Sequence, residues 1–239
     1  MQEKIVRFQS FDLAPDHHPR PGAVLRQMQQ LAREHMNAFG HTYYSMLADN
    51  MVFILTRMVM RRLALIPGEK DLRLVTGANG VHGASFYRSF ALYDGEELLF
   101  TAQTEWVLLD FRERRILRPT ALKWDAPSDP VLCGDLAARR LAAPEPGEIV
   151  ARDERKVYLS MLDENDHLNN CVYVDLIFDT LPDDFPWREL YLNFVKEVRR
   201  GETLSVTAET VSGGTFVHGE LDGGAVTSFR ALLTPEEKA

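Results

Sequence analysis

Residues 22–39 read GAVLRQMQQLAREHMNAF, and this stretch decides the fold class. Its apolar side chains recur every three or four residues, which predicts a helix over Gly22–Phe39 with one buried face, and Gly40 supplies a stop. On both sides of the helix the pattern changes to the alternation that is typical of strands. The predicted strands lie at residues 4–12, 52–63, 72–76, 84–93 and 98–109. Asp94-Gly95 predicts a hairpin between the last two, so the first half predicts a long helix on an antiparallel sheet.

The same order of elements recurs in the second half of the chain. Prolines and glycines interrupt residues 126–150, which predicts a linker. Beyond it we predict a helix from Asn169 to about Leu181. The predicted strands of this half lie at residues 155–162, 190–198, 203–210, 216–221 and 226–233. A shift of 150 residues aligns Ser10 with Ser160, Asp16 with Asp166, His17 with His167 and Val24 with Val174. Two such copies can cover each other's exposed sheets, which predicts an intrachain pseudo-dimer of class α+β.

Composition and charge narrow the class of protein. The chain has 239 residues, of which 45% are hydrophobic and 26% charged, values typical of a compact globular protein. The net charge of −8 repels nucleic-acid phosphates and anionic lipid surfaces, so we expect neither as a partner. We find no apolar run of spanning length and no signal peptide, and the two cysteines, Cys133 and Cys171, predict no disulfide framework. We therefore expect a cytoplasmic protein.

The densest polar run is DENDHLNN, residues 163–170, between a predicted strand and a predicted helix. On an extended backbone Asp163, Asn165 and His167 would point the same way. The amide and the imidazole can donate to a developing oxyanion, while a carboxylate orients the imidazole or handles the attacking water. Asn169 or Asn170 would cap the helix that follows. The alternative is a plain polar turn with an Asx cap.

Two other chemistries are compatible with parts of this run. A calcium loop starting at Asp163 would need glycine and glutamate where Leu168 and Val174 stand, so we expect no metal. Cys171, in the first turn of the helix, has the position of a thiol nucleophile, although a small buried apolar role is the simpler interpretation.

A second polar residue stands in the predicted strand 190–198. Alternation places Glu197 on the same face as Tyr191 and Asn193, so Glu197 is predicted to face inward. The alternative is an exposed glutamate paired with a neighbouring lysine or arginine.

These residues together resemble a known family, the acyl-acyl carrier protein (ACP) thioesterases of plants and bacteria. The family motif Asp-x-Asn-x-His-Val-Asn-Asn-x-x-Tyr is matched by Asp163, Asn165, His167, Leu168, Asn169, Asn170 and Tyr173. Phe194-Val195-Lys196-Glu197 is similar to the later strand of the family, which ends in a glutamate. The resemblance extends to the long helix and to the strand ending at Asp110. Two departures are Val198 where the family often has cysteine and Leu176 where it often has tryptophan.

The resemblance implies two tandem hot dog folds, each a long helix wrapped by an antiparallel sheet. Residues 1–125 would bind the acyl chain, 126–150 would be the linker, and 151–239 would be catalytic. The implied reaction is hydrolysis of fatty acyl-ACP to free fatty acid and ACP, which ends chain elongation and needs no cofactor. The implied catalytic residues are Asp163, Asn165, His167 and Glu197.

Further residues are implied to bind the substrate and the carrier. The substrate-binding set is Asn169, Asn170, Tyr173, Met28, Met58 and Met60; methionines suit a flexible apolar tunnel, although core packing is their more usual role. Lys196, Arg199 and Arg200 would dock the acidic ACP. An acyl-CoA thioesterase, or less readily a non-catalytic acyl-binding protein, is the alternative function. A homodimer, the preferred acyl length and the division of roles between the two carboxylates stay open.

Overall fold

The computed structural model describes residues 1–122, 127–183 and 185–235. The chain divides into two compact units. The first contains Met1–Pro19 and Ala23–Ala138, and the second contains Arg20–Gly22 and Arg139–Ala239. The division at Ala138 lies within the expected linker 126–150. The first residue of that linker is outside the described residues, as are 123–125 of the first expected domain and 184 and 236–239 of the second.

The described residues of the first unit form five strands and two helices. The strands are β1 (Gln2–Val6), β2 (Met51–Arg62), β3 (Leu72–His82), β4 (Ser85–Asp94) and β5 (Glu97–Asp110). The helices are α1 (Pro21–Ala38) and α2 (Tyr43–Ala48). The strands pair antiparallel in the order β1-β3-β4-β5-β2. α1 has the predicted buried face, including Leu25, Met28 and Leu31 at 0% exposure.

The second unit repeats this plan, with one helix in the part of it that the structure describes. Its elements are β6 (Glu148–Lys156), α3 (Asn170–Thr180), β7 (Glu189–Phe194), β8 (Thr203–Val211), β9 (Gly214–Leu221) and β10 (Val226–Thr234). The antiparallel order β6-β8-β9-β10-β7 is the order of the first unit, strand for strand. α3 packs against β8 and β6. The coarse prediction of helices on antiparallel sheets is therefore confirmed.

Several predicted boundaries are wrong, for identifiable reasons. β1 ends at Val6 instead of residue 12, because Ser10–Asp12 forms a 3₁₀ turn. The strand predicted at 155–162 is in fact β6, which starts at Glu148 inside the predicted linker because it pairs with β8. Its predicted end, Leu159–Met161, is another 3₁₀ turn. β7 stops at Phe194, so strand alternation does not set the direction of Glu197.

The predicted shift of 150 residues between the two halves is wrong by one. The 3₁₀ turns Ser10–Asp12 and Leu159–Met161 are followed by isolated bridges, Leu13 with Pro19 and Leu162 with Leu168. These features correspond at a shift of 149, from Leu13 to Leu162. Backbone hydrogen bonds define the correspondence, so the identities of Ser10, Asp16, His17 and Val24 with Ser160, Asp166, His167 and Val174 are coincidental.

Candidate active site

The polar run folds into a closed turn between β6 and α3. The Asp163 N–H donates to the carbonyl of His167 at 2.8 Å, and the Asp166 N–H donates to the carbonyl of Asp163 at 3.2 Å. Asp166 has a φ of 60°, a left-handed conformation that aspartate tolerates better than most residues. The predicted extended backbone is therefore wrong. Instead, Oδ1 of Asp163 accepts from the backbone N–H groups of Asn165 (2.8 Å) and His167 (3.2 Å), so this carboxylate holds the turn closed.

His167 and Glu197, thirty residues apart in sequence, meet at this turn. His167 Nε2 lies 3.3 Å from Glu197 Oε2, and the two side chains are 20% and 22% exposed. The backbones are also joined: the Leu168 N–H donates to the carbonyl of Val198 at 2.8 Å, and His167 bridges with Arg199. The sequence thus identified two segments that the fold brings into direct contact.

Arg199 lies on the other oxygen of the same carboxylate. Its Nη2 is 2.9 Å from Glu197 Oε1, and its side chain is 60% exposed. The hydrogen bond and charge of Glu197 raise the pKa of the Arg199 guanidinium above its ordinary value. Glu197 is therefore held between an imidazole and a guanidinium, while Lys196 and Arg200 are exposed. The docking roles of these three basic residues stay a prediction.

Tyr173 supports the site from inside the second unit. It is 3% exposed and packs edge-on against Phe194 and Phe229, with ring centroids 5.4 and 5.6 Å apart. Burial, the largest cause, raises the pKa of its hydroxyl to about 12, although the hydroxyl is hydrogen-bonded with Ser228 and with the backbone of Val198. Ser228 was missed by sequence reasoning, because one serine in the alternating strand VTSFRALL is an ordinary residue until its neighbours are known.

The start of α3 contains the remaining polar residues of the motif. Asn169 is the N-cap, and its side chain accepts from the Cys171 N–H at 2.9 Å, which confirms one of the two predicted caps. Asn170 is the first helical residue and is half-buried. Cys171 is 1% exposed, as expected of a small apolar residue in the core. Cys133 is 3% exposed, and burial raises the pKa of its thiol.

The three methionines of the predicted acyl tunnel belong to the interior of the first unit. Met28 on α1 and Met58 and Met60 on β2 are all 0% exposed. Such positions suit either an apolar core or the wall of a closed tunnel. Their role in substrate binding, like those of Asn169, Asn170 and Tyr173, stays a prediction.

The described residues contain neither a metal-ligand cluster nor a helix of membrane-spanning character. Over residues 1–122, 127–183 and 185–235, no group of three or more His, Cys, Asp or Glu side chains is arranged to hold a metal ion. Within the same ranges, no helix is long and apolar enough to cross a membrane.

Both halves of the chain match family models. Residues 2–121 match the acyl-ACP thioesterase N-terminal domain, and residues 147–226 match the acyl-ACP thioesterase C-terminal domain. The chain belongs to the acyl-ACP thioesterase family.

Individual relatives are distant in sequence. The chain is 24% identical over 259 residues to a chloroplastic dodecanoyl-[acyl-carrier-protein] hydrolase of Cinnamomum camphora, a match that covers 94% of this chain and 66% of that relative. The chain therefore spans about two thirds of the length of this curated relative.

Solved structures share the fold. The 12:0-ACP thioesterase from Umbellularia californica superposes with a TM-score of 0.84 at 22% identity, covering 99% of this chain and 97% of that one. An acyl-ACP thioesterase from Bacteroides thetaiotaomicron gives 0.83 at 17% identity, covering 98% and 97%. At these identities the likeness establishes the fold alone.

Proposed function

We propose that this protein hydrolyses the thioester of fatty acyl-ACP, releasing a free fatty acid and ACP. The observation that carries the proposal is the contact of 3.3 Å between His167 Nε2 and Glu197 Oε2 at the turn closed by Asp163. It joins the two motif segments into one partly exposed polar site, as an attack by water on a carbonyl requires. Membership of the family and the name of the hydrolase relative support the same reaction.

We further infer that each unit is a hot dog fold and that the two lie in tandem. The identical strand order of the two sheets and a helix packed on each support this inference. An acyl-binding role for the first unit and a catalytic role for the second, with bounds 1–125, 126–150 and 151–239, belong to this proposal. The pseudo-dimer packing, a homodimer and a cytoplasmic location stay predictions from the sequence.

The two carboxylates of the site have different surroundings, which supports a division of labour. Glu197 has one oxygen at His167 and the other at Arg199, so it suits the role of orienting the imidazole. Asp163 uses Oδ1 to hold the turn, while Oδ2 accepts no hydrogen bond from any residue that the structure describes. Oδ2 is therefore the oxygen that we assign to the attacking water.

In this mechanism Asp163 takes a proton from water as the water oxygen bonds to the thioester carbon. The carbonyl oxygen gains the negative charge, and the side-chain N–H groups of Asn165 and His167 donate to it. Collapse of the intermediate breaks the carbon–sulfur bond, and the thiolate leaves with the proton that Asp163 collected. The products are a carboxylic acid and the thiol of the carrier, so atoms and charges balance.

The decisive experiment is a ladder of acyl-ACPs and matched acyl-CoAs incubated with the purified protein, with identification of the fatty acids released. We expect Asp163→Asn, His167→Ala and Glu197→Gln to lower kcat by ~10²- to 10³-fold, as removal of one such donor or base typically does. His218→Ala and Glu209→Gln are matched controls, because they break another histidine–carboxylate contact (3.1 Å) in the second unit. Absence of released fatty acid from every acyl-ACP refutes the proposal, and faster hydrolysis of every acyl-CoA assigns the other carrier.

Carrier docking is tested separately on the two exposed cations that do not touch Glu197. We expect Lys196→Glu and Arg200→Glu to raise KM for acyl-ACP more than KM for a small soluble thioester, because ACP is acidic and long-range attraction speeds its association. Arg199 is left intact, since its ion pair with Glu197 would confound the result. An unchanged KM for acyl-ACP removes Lys196 and Arg200 from the docking surface.

A further inference from the structure

We propose that Ser228 and Tyr173 are positioning residues that hold Glu197 within reach of His167. The inference rests on the function proposed above, since it concerns the same site. Neither side chain is exposed: Ser228 has 0% and Tyr173 3% of its surface accessible. Both act through the short segment Val195–Val198, which carries Glu197 after β7 has ended.

Ser228 occupies an irregularity in β10. Pairing of β10 with β7 ends at Phe229 and Phe194, and the register of β10 against β9 shifts between Thr227 and Phe229. Ser228 is therefore the extra residue of a β-bulge. A bulge re-aims the groups of its strand, and bulges are over-represented next to active sites.

Ser228 binds the residues just before Glu197 through both of its oxygens. Its carbonyl accepts the N–H groups of Val195 at 2.8 Å and Lys196 at 2.9 Å. Its hydroxyl donates to the carbonyl of Lys196 at 2.9 Å. The N–H and the carbonyl of Lys196 are thus both hydrogen-bonded to the buried Ser228. These two bonds fix the backbone from which the next residue, Glu197, extends.

Tyr173 binds the residue just after Glu197. Its hydroxyl is hydrogen-bonded with the side chain of Ser228 and with the backbone of Val198. The negative charges of Asp163 and Glu197 contribute to the raised pKa of this hydroxyl. Its ring packs edge-on against Phe229, which in turn lies directly over Gly219. A Cβ at position 219 would come within 2.1 Å of the Phe229 ring, so glycine is required for this stack.

Glu197 consequently stands between two residues whose peptide groups are hydrogen-bonded to buried partners. The carbonyl of Val198 also accepts the N–H of Leu168, the residue after His167. The same few bonds thus set the separation of the imidazole and the carboxylate. Misplacement by about 1 Å can cost on the order of 100-fold in rate, so these bonds matter for turnover.

The test removes one oxygen at a time with Ser228→Ala and Tyr173→Phe. We expect kcat for acyl-ACP to fall by about 10- to 100-fold, while KM changes little and Tm falls only as far as one lost hydrogen bond explains. Thr180→Val and Tyr191→Phe are matched controls: Thr180 donates to Leu176 on α3, and Tyr191 donates to Glu189 on β7. Neither of these hydrogen bonds involves the segment Val195–Val198, and we expect both controls to keep the wild-type kcat.

A double-mutant cycle separates positioning from a general structural role. In the Glu197→Gln background, Ser228→Ala should cause little further loss, because its effect passes through the carboxylate. An equal fold loss in both backgrounds overturns the proposal. Crystal structures supply a readout independent of activity: the His167–Glu197 contact, 3.3 Å here, should open beyond 4 Å in Ser228→Ala. If the wild type releases no fatty acid, the proposed function fails, whereas an unmoved Glu197 in the variant refutes positioning.

Discussion

The turn at Leu13–Pro19 in the first unit and the turn at Leu162–Leu168 in the second have the same backbone but different chemistry. The N–H of Ala14 donates to the carbonyl of His18 at 2.8 Å, as Asp163 does to His167 at the same distance. The next bond, from His17 to Ala14, corresponds to that from Asp166 to Asp163. Even the left-handed residue is shared, with φ of 66° at His17 and 60° at Asp166. A histidine follows it in both turns.

The side chains around the two histidines differ. Ala14 stands where Asp163 supplies a carboxylate. The backbone hydrogen bonds from Glu69 to Phe8 and from Gly201 to Val157 correspond in the two units. Leu65 lies four residues before Glu69, as Glu197 lies four residues before Gly201, so Leu65 takes the position of Glu197 in the first unit. Leu65 is 58% exposed.

The ring of His18 is also placed differently. Pro19 has no N–H to donate where Leu168 does, and Nδ1 of His18 instead lies 2.8 Å from the carbonyl of Ile66. One histidine thus completes a backbone contact, whereas the other faces a carboxylate.

The turn is thus a scaffold whose chemistry depends on a few positions. The backbone forms without a carboxylate at the position of Asp163, because the same backbone hydrogen bonds are present in both turns and Asp16 Oδ1 accepts from the His18 N–H at 3.0 Å in the first. Asp163, Glu197 and the N–H of Leu168 are what the second unit adds.

The largest expected difference is between the two histidines. His167→Ala should lower kcat by ~10²- to 10³-fold, because a donor to the oxyanion is lost. His18→Ala should leave kcat within a factor of about two, since its ring bonds only a carbonyl and one such bond contributes about 1 kcal/mol to stability. Steady-state kinetics on acyl-ACP and thermal unfolding measure both. Equal losses of kcat in the two variants would abolish the distinction between the units.

A third histidine, buried in the first unit, should make that unit sensitive to acid. His35 on α1 is 3% exposed, and Arg88 of β4 donates to its Nδ1 at 2.9 Å. Burial, and then the charge of Arg88, lower the pKa of His35 to about 4. Because the unfolded chain binds this proton more readily, the stabilisation is complete above pH 6.5 and declines as the pH falls toward 4.

The loss on acidification should reach about 3 kcal/mol in the free energy of unfolding. Urea unfolding of the wild type and of His35→Gln at pH 7, 5 and 4 checks this, because all other groups titrate in both proteins. His82→Gln, at an exposed position, is the control and should follow the wild-type pH dependence. Parallel curves for wild type and His35→Gln would contradict the prediction.

Proline at position 168 should make the second turn resemble the first. Leu168→Pro removes the N–H that donates to Val198, and the first turn shows that its backbone accepts proline there. We expect kcat to fall by about tenfold, with about 1 kcal/mol lost in stability for the missing hydrogen bond. Leu168→Ala, which keeps the N–H but loses buried side-chain contacts, is the control. If Leu168→Ala lowers kcat as much as Leu168→Pro does, the lost packing and not the lost hydrogen bond is responsible.

The smallest expected effect concerns how the two helices begin. α3 has the Asn169 side chain as its cap, whereas α1 starts with a proline, Pro21, whose missing N–H needs no partner. Asn169→Ala should lower the free energy of unfolding by about 1 kcal/mol. Asn170→Ala, one residue further on, should have a smaller effect. A larger loss in Asn170→Ala would indicate that the cap has been assigned to the wrong asparagine.

Much of the fold could be predicted because it depends on local periodicity. The helix predicted at Gly22–Phe39 is Pro21–Ala38, and most strands lie within a few residues of their predicted bounds. The failures concern long-range pairing. β6 is a charged edge strand, ERK at its end, whose partner β8 lies some fifty residues away, so no local pattern marks its start.

The candidate site also has a part that the sequence predicted and a part that depends on long-range contacts. The residue types of the motif directed attention to His167 and Glu197, and the fold brings these side chains together. The turn geometry was missed because it depends on backbone hydrogen bonds and on the left-handed Asp166. Ser228 was missed because its importance comes from a bulge, which exists only relative to the neighbouring strands.

The burial of both thiols makes a thiol-detecting assay practical for this protein. Cys133 and Cys171 are 3% and 1% exposed, so a colorimetric thiol reagent in solution should not react with the folded protein. In the proposed reaction, in contrast, each turnover liberates one reactive sulfhydryl on the carrier. The same reagent can therefore follow hydrolysis continuously without background, and any slow appearance of two equivalents per chain would count the molecules that have unfolded.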